Sequence, residues 1–120
     1  MSTAPTKVTV EEIVQYRDKF EGNPEALKAL DVVQECEGYL EDAYTLLLIR
    51  ETGVTPDRAF EFSQLAEKCR SVICKDGRED VLEMFNVVAS FLPPPSSQAL
   101  TVVLYVAKIG TKKFCQDPQR

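Results

Sequence analysis

The sequence predicts an all-α protein, a compact orthogonal bundle of five to six helices whose C-terminal apolar helix, about residues 98–109, lies in the core. Three observations lead to this prediction. Apolar residues recur every three or four positions, all five glycines stand at breaks in that pattern, and a capping residue followed by proline marks two helix starts. With 120 residues, 44% of them hydrophobic and 28% charged, the chain has the size and balance of one globular domain.

Capping signals define the first two helices. Thr9 and Glu12 have the spacing of a capping box, in which each side chain satisfies the other's exposed backbone N–H, and this helix is expected to end near Phe20. The Asn-Pro pair at 23–24 starts the second helix, which should end at Gly38 because glycine can adopt the left-handed closing conformation. The residues expected to face the core are Val10, Ile13, Tyr16 and Phe20, then Leu27, Leu30, Val33 and Cys36.

The next three helices follow after short breaks. The third, over 40–53, begins so soon after the second that the two must pack as neighbours at a steep angle. A cap and proline at 55–57 start the fourth, which ends near Cys74, and the fifth covers about 79–91 before three prolines. Their apolar faces contain Leu40, Ala43, Leu46, Leu47, Leu48 and Ile49; Ala59, Phe62, Leu65, Ala66, Cys69, Val72 and Ile73; and Val81, Met84, Phe85 and Val88.

Residues 98–110, QALTVVLYVAKIG, form the most apolar segment, and Ser96 or Ser97 is expected to cap the helix that they predict. Nearly all of its circumference is Ala, Leu, Val and Ile, so the other helices must enclose it. Its polar residues recur at steps of three, four and three and share one narrow stripe: Gln98, Thr101, Tyr105 and Lys108. Beyond it, Phe114 and Cys115 are expected to fold back onto the core.

The chain divides into a flexible N-terminus at 1–8, a single helical domain at 9–115 and a flexible C-terminus at 116–120. No basic leader precedes an apolar segment, and no apolar run approaches the about 20 residues that a membrane span needs. We therefore expect a cytoplasmic protein.

Four cysteines lie at Cys36, Cys69, Cys74 and Cys115, none in CxxC spacing, and the chain has no histidine. Common zinc-site patterns are therefore absent. The four thiols are expected to be reduced and to act as small hydrophobic side chains, with metal or redox use as the alternative.

The net charge of −5 is unevenly distributed. Residues 1–62 contain thirteen acidic and six basic residues, whereas 63–120 contain six acidic and eight basic ones. An acidic half repels phosphate backbones, so neither nucleic acid nor an anionic membrane is the expected partner. The expected partner is another protein with a basic surface.

Catalytic signals are scarce. Without histidine, the chain lacks the commonest general base and metal ligand, and it contains no glycine-rich phosphate loop or nucleophile-elbow motif. The expected function is therefore non-catalytic, a protein-interaction or regulatory domain with no cofactor and no metal. Two alternatives stay open: a small enzyme that uses carboxylates or a cysteine, and a homo-oligomeric structural protein, such as a dimer formed through the fourth helix.

One turn collects negative charge against a local preference. Glu35 and Glu37 are expected in the last turn of the second helix, where the helix dipole disfavours carboxylates, and two more acids open the third helix. Such departures from local preference are typical of functional sites; a solubilising surface is the alternative reading. The partner-binding residues predicted here, called the acidic corner below, are Glu35, Glu37, Tyr39, Glu41 and Asp42.

The same stretch carries a local family resemblance. The run Gly38-Tyr-Leu-Glu-Asp-Ala43, followed by Leu46 and Leu47, resembles the second and third helices of ubiquitin-associated and related translation-factor-type modules, where a Gly-x-hydrophobic-Glu-x-Ala spacing recurs. The resemblance covers about residues 24–49 and implies a right-angled helix pair. The apolar Met-Gly-Phe loop with which such modules bind ubiquitin has no counterpart at 21–24, so the resemblance does not extend to ubiquitin binding.

Overall fold

Seven α-helices make up the part of the chain that the computed structural model describes, residues 7–53, 58–75, 80–92 and 97–116. The Cα radius of gyration is 13.1 Å, close to the roughly 13.6 Å expected for a compact domain of this length. The predicted all-α bundle is confirmed, with one helix more than expected. The helices are α1 (Val10–Lys19), α2 (Pro24–Glu35), α3 (Leu40–Thr52), α4 (Arg58–Cys74), α5 (Val81–Phe91), α6 (Gln98–Ile109) and α7 (Thr111–Gln116).

The predicted N-terminal caps of α1 and α2 are present. The Thr9 hydroxyl accepts a hydrogen bond from the Glu12 backbone N–H at 3.1 Å, and the Glu12 carboxylate accepts one from the Thr9 N–H at 2.9 Å. At the start of α2, the Asn23 side chain accepts from the Ala26 N–H at 3.2 Å, and Pro24 is the first helical residue. Both caps satisfy backbone donors that a helix start leaves open.

The predicted core is largely confirmed, with two errors. Val10 is 69% exposed and Ile49 is 37% exposed, although both were expected to face inward. Helix α1 packs chiefly on α2, which leaves the flank carrying Val10 and Val14 open to solvent. Seven of the other predicted positions are only partly buried against the core: Tyr16, Leu27, Cys36, Leu46, Leu48, Leu65 and Val72.

Helix α6 is the central element, because α2, α3, α4, α5 and α7 all pack against it. Its predicted polar stripe is not a uniform solvent face. Thr101 is fully buried and its hydroxyl donates to the Gln98 carbonyl at 2.7 Å, so the helix itself satisfies this side chain. Lys108, at the other end, reaches solvent and pairs with Glu12 of α1 at 2.9 Å.

Ser97 occupies the cap position of α6 but makes no side-chain capping bond. Its buried hydroxyl instead donates to Glu51 of α3 at 3.2 Å. Ser97 therefore joins two helices, a role that its sequence position did not indicate. Ser96 lies outside the described residues, as do the predicted cap at 55–57 and the prolines at 93–95.

A row of aromatic rings links four helices. Tyr44 of α3 contacts Phe62 of α4 at 5.5 Å between ring centroids, Phe62 contacts Tyr105 of α6 at 5.3 Å, and Tyr105 contacts Phe114 of α7 at 6.4 Å. The seam of α4 is buried inside the chain at Phe62, Ala66, Cys69 and Ile73. The helix face considered for a dimer is thus covered by the domain itself.

The prediction of four reduced thiols is wrong for two of them. Cys74, at the end of α4, forms a disulfide with Cys115 of α7, 41 positions later. Helix α7 folds back onto α4 and α6 and buries Phe114, as expected, and this packing brings the two sulfurs together. Cys36 and Cys69 are free, as predicted. Within the described ranges, no helix has the length and apolarity that crossing a bilayer requires.

Candidate functional site

The acidic corner is the reversal between α2 and α3. Helix α2 ends at Glu35, and two backbone hydrogen bonds close it: Glu37 N–H to the Gln34 carbonyl at 3.0 Å and Gly38 N–H to the Val33 carbonyl at 2.8 Å. This pair of bonds is the Schellman pattern, in which the residue carrying the first bond has a left-handed backbone. That residue is Glu37, with φ of 59°.

Two details of the predicted turn are therefore corrected. Glu37 does not lie in the last helical turn, because the chain leaves the helix at Cys36. Gly38 is also not the residue that closes the helix, since Glu37 occupies that position. A left-handed backbone costs a residue with a Cβ roughly 1–2 kcal/mol, which is why glycine is usual there. An exposed glutamate at this position departs from both the backbone preference and the dipole preference.

Gly38 serves a different purpose, the close approach of the N-terminal segment. The Val8 N–H donates to the Gly38 carbonyl at 2.8 Å, and Lys7 forms an isolated β-bridge with Tyr39. A Cβ placed on Gly38 would lie 2.0 Å from the Val8 carbonyl oxygen, far inside van der Waals contact. Val8 is buried although it belongs to the segment expected to be flexible. Lys7 and Val8 thus pack directly against the acidic corner.

Tyr39 supplies the aromatic part of the corner. It stands at the N-cap of α3 and is half-buried. The Lys7 ammonium lies 5.1 Å from the centre of its ring, which is a cation–π distance. The corner therefore already holds one cation of its own chain against the face of Tyr39.

The four carboxylates have different surroundings. Glu35 forms a two-pronged pair with Arg50 of α3 at 2.9 and 3.3 Å. Glu37 is exposed, whereas Glu41 and Asp42 are half-buried in the first turn of α3, where negative charge is favoured. The corner is thus a mixed surface: Glu35 and Glu37 are exposed, Glu35 within an ion pair, and Glu41 and Asp42 are half-buried.

The acids of the corner act on different neighbouring groups. Burial raises the pKa of the Cys36 thiol, and the negative charges of Asp42 and Glu35 raise it further, against an opposing effect of Arg50. Glu41 acts elsewhere: the pKa of the Tyr105 phenol is raised first by burial and then by the charge of Glu41. The charges of Asp42 and Glu35 therefore act on Cys36, whereas the charge of Glu41 acts on Tyr105 of α6.

A shallow groove of about 250 Å³ continues from the corner between α2 and α3, with Glu35 on its wall. Its charges are matched in pairs: Glu35 with Arg50, Lys28 with Glu51 at 2.6 Å, and Asp31 with Arg17 of α1 at 2.8 Å. Glu51 is nearly buried, and its oxygen facing Lys28 lacks a well-directed hydrogen bond, so the contact is an ion pair. The groove offers little uncompensated charge, which leaves the corner as the stronger electrostatic feature.

Among the described residues, no group of three or more His, Cys, Asp or Glu side chains has an arrangement that could hold a metal ion. Neither protein-family models, nor curated proteins, nor solved structures gave a match to this chain. The acidic corner therefore has to be judged on its own geometry.

Sequence reasoning located the corner but missed two features that shape it. The contact of Val8 with Gly38 could have been suspected from the sequence, because Val8 is an apolar residue directly before a capping box. Its partner Gly38 lies thirty residues away, and no local sequence pattern links the two residues. The left-handed Glu37 is visible only after the helix end is known, since a glycine follows it and looks like the natural terminator.

Proposed function

We propose that this chain is a non-catalytic protein-interaction or regulatory domain that binds a basic segment of another protein at the acidic corner. The observation that carries the proposal is Glu37, an exposed carboxylate in a left-handed conformation at the C-terminal end of a helix. Backbone strain and helix dipole both act against this residue, and strain of this kind tends to collect at functional positions.

The neighbouring residues support this use of the site. Glu41 and Asp42 add negative charge, and the ring of Tyr39 already accepts the Lys7 ammonium. A lysine or arginine of a partner would find the same two kinds of interaction, a carboxylate and an aromatic face. Charge also favours a protein partner over nucleic acid, because phosphate would be repelled here.

A cytoplasmic location is part of the proposal. The free thiols of Cys36 and Cys69 fit a reducing compartment. The homo-oligomer and the enzyme remain alternatives; for the described part of the chain, the burial of the α4 seam makes the α4 dimer less favourable.

Replacing Glu37 by glycine tests the proposal without damaging the fold. Glu37→Gly removes the charge and relieves the left-handed strain, so the variant should be more stable by roughly 0.5–1 kcal/mol in urea unfolding. If the corner binds basic segments, the same variant should bind an octalysine peptide several-fold more weakly, as measured by NMR titration at low salt. Stability and binding would then move in opposite directions, which a folding defect cannot produce.

Matched controls separate the corner from the general acidity of the chain. Asp18→Lys with Glu21→Lys reverses two exposed charges near the end of α1, and Glu37→Lys with Asp42→Lys reverses two in the corner. Only the corner pair should abolish the peptide-induced shifts around residues 35–42. Equal weakening by both pairs would show that the peptide senses only net charge, and the acidic corner would have to be given up as a site.

A further inference from the structure

Helix α7 is a short segment held down by a small number of contacts. It has six residues, too few to form a stable helix alone. Phe114 inserts its ring into the core, with 5% of its surface exposed. The Arg70 guanidinium of α4 lies 4.4 Å from the centre of that ring and also donates to the Phe114 carbonyl. The disulfide between Cys74 and Cys115 completes the attachment.

The connection before α7 has the properties of a hinge. Gly110 joins α6 to α7 with φ of 103° and ψ of 124°. A Cβ built at Gly110 meets no atom within 4 Å, so no neighbouring group packs against that side of the glycine. This is the opposite of Gly38, where the backbone of Val8 lies against the glycine. Rotation at Gly110 would move α7 without disturbing α6.

The surroundings of the four cysteines favour thiol chemistry at Cys74 and Cys115. Cys74 and Cys115 are both partly exposed, within reach of small reagents. Cys69 is fully buried, and burial raises the pKa of its thiol to about 11. Cys36 is half-buried among negative charges. Because the thiolate is the reactive form, Cys36 and Cys69 compete poorly in thiol exchange.

We propose that Cys74 and Cys115 form a reversible redox latch that docks α7 when oxidised and releases it when reduced. This inference is independent of the acidic corner; it gives the disulfide a role in the proposed reducing compartment, where disulfides are mostly transient or redox-sensing. Release would uncover Phe114 and the Tyr105 ring that it contacts, and would thereby open an apolar surface on α4 and α6.

The oxidation that closes the latch and the reduction that opens it are both balanced with common reagents. In closing, one cysteine thiolate attacks hydrogen peroxide, the O–O bond breaks, and a sulfenic acid and a hydroxide ion form. The hydroxide takes up a proton from solvent and becomes water. The second thiol attacks that sulfur, the S–O bond breaks, and a second water leaves as the disulfide forms. In opening, a dithiol reductant attacks one sulfur to give a mixed disulfide, and its second thiol then displaces the cysteine. The reductant becomes a disulfide and two cysteine thiols are restored.

Hydrogen exchange of the full chain tests the release directly. In the oxidised protein, the amides of Phe114, Cys115 and Gln116, whose N–H groups can bond within the helix, should be protected. Excess dithiothreitol should speed their exchange at least tenfold while α6 amides stay protected. Peroxide should restore protection after the reductant is removed. Cys115→Ala should exchange rapidly under both conditions, and Cys36→Ala should respond like the parent protein. Equal α7 protection in the oxidised and reduced forms would overturn the proposal, because the bond would then be a static cross-link.

A second measurement tests reversibility. The protein is equilibrated in glutathione buffers from strongly reducing to oxidising, trapped with an alkylating reagent, and analysed by mass. If the latch is reversible, Cys74 and Cys115 should each gain one alkyl label as the glutathione buffers become more reducing. A disulfide that stays closed in every native buffer would contradict the latch.

Discussion

The two ends of the described chain are fastened to the same helical core by different means. At the N-terminal end, Val8 is buried and hydrogen-bonded to Gly38, and Glu12 is tied both to Thr9 and to Lys108 of α6. At the C-terminal end, α7 is attached by a disulfide, by the Phe114 side chain and by Arg70. The first fastening depends on close backbone packing and ionised side chains, whereas the second includes a covalent bond between two sulfurs. The two ends should therefore respond to different solution conditions.

The largest expected effect is the loss of the disulfide. Replacing Cys74 and Cys115 together by alanine frees the unfolded chain from a loop closed over a sequence separation of 41. The chain-entropy argument predicts a loss of about 4 kcal/mol in the free energy of unfolding. Urea denaturation without reductant measures it, with Cys36→Ala as a single-cysteine control.

Reductant provides the check on that interpretation. In dithiothreitol the parent protein should lose most of its advantage over the double variant, because both then lack the cross-link. If the difference persists under reduction, it reflects packing of the two side chains and not the covalent bond.

The next effect probes the backbone contact at the N-terminal end. Gly38→Ala places a Cβ against the Val8 carbonyl and also forces alanine into a left-handed backbone. Left-handed strain of about 1–2 kcal/mol and the lost burial of Val8, about 1.5 kcal/mol, should together cost about 3 kcal/mol. Gly53→Ala is the matched control: its φ is 79° but its Cβ would meet nothing within 4 Å, so it should cost only the strain, about 1–2 kcal/mol.

Comparing these two variants isolates the close approach from the conformational strain. The additional loss at Gly38 should be accompanied by faster amide exchange at Val8. Equal losses at Gly38 and Gly53 would mean that Val8 shifts without cost and does not stabilise the corner.

The same contrast, between local and distant contacts, explains which features could be predicted from the sequence. Signals within one helical turn were sufficient for the capping box at Thr9, the start of α2 at Asn23 and Pro24, and the inward residues of α5. Core formation by α6 followed from its composition alone, since an almost wholly apolar helix must be enclosed.

Pairings between distant residues could not be predicted. Cys74 and Cys115 have no characteristic spacing, so their disulfide emerges only from the folding of α7 onto α4. The same holds for Ser97, which looked like a cap and instead donates to Glu51. At the acidic corner, the sequence placed the carboxylates on one turn, but only the backbone angles show that Glu37 bears the strain.

The smallest expected effect concerns acid sensitivity at the N-terminal end. The pKa of Glu12 is lowered, chiefly by the hydrogen bond from the Thr9 N–H and then by the Lys108 ammonium. A lowered folded-state pKa means that its stabilisation is present above the unfolded value of about 4.5 and is lost as the pH falls below that value. Because about a third of each side chain in the pair is exposed, solvent screens it, and the contribution should stay below about 1 kcal/mol.

Urea midpoints between pH 7 and pH 3 measure this contribution. Glu12→Gln should lower stability at pH 7 and make the decline toward pH 3 less steep, because the group that titrates has been removed. Glu11→Gln removes a charge from the same turn while leaving the capping box and Lys108 untouched, so it should preserve more of the decline. If both variants flatten the curve equally, the acid sensitivity comes from the overall negative charge of the first helix, and the N-terminal fastening would depend on Val8 and Gly38 alone.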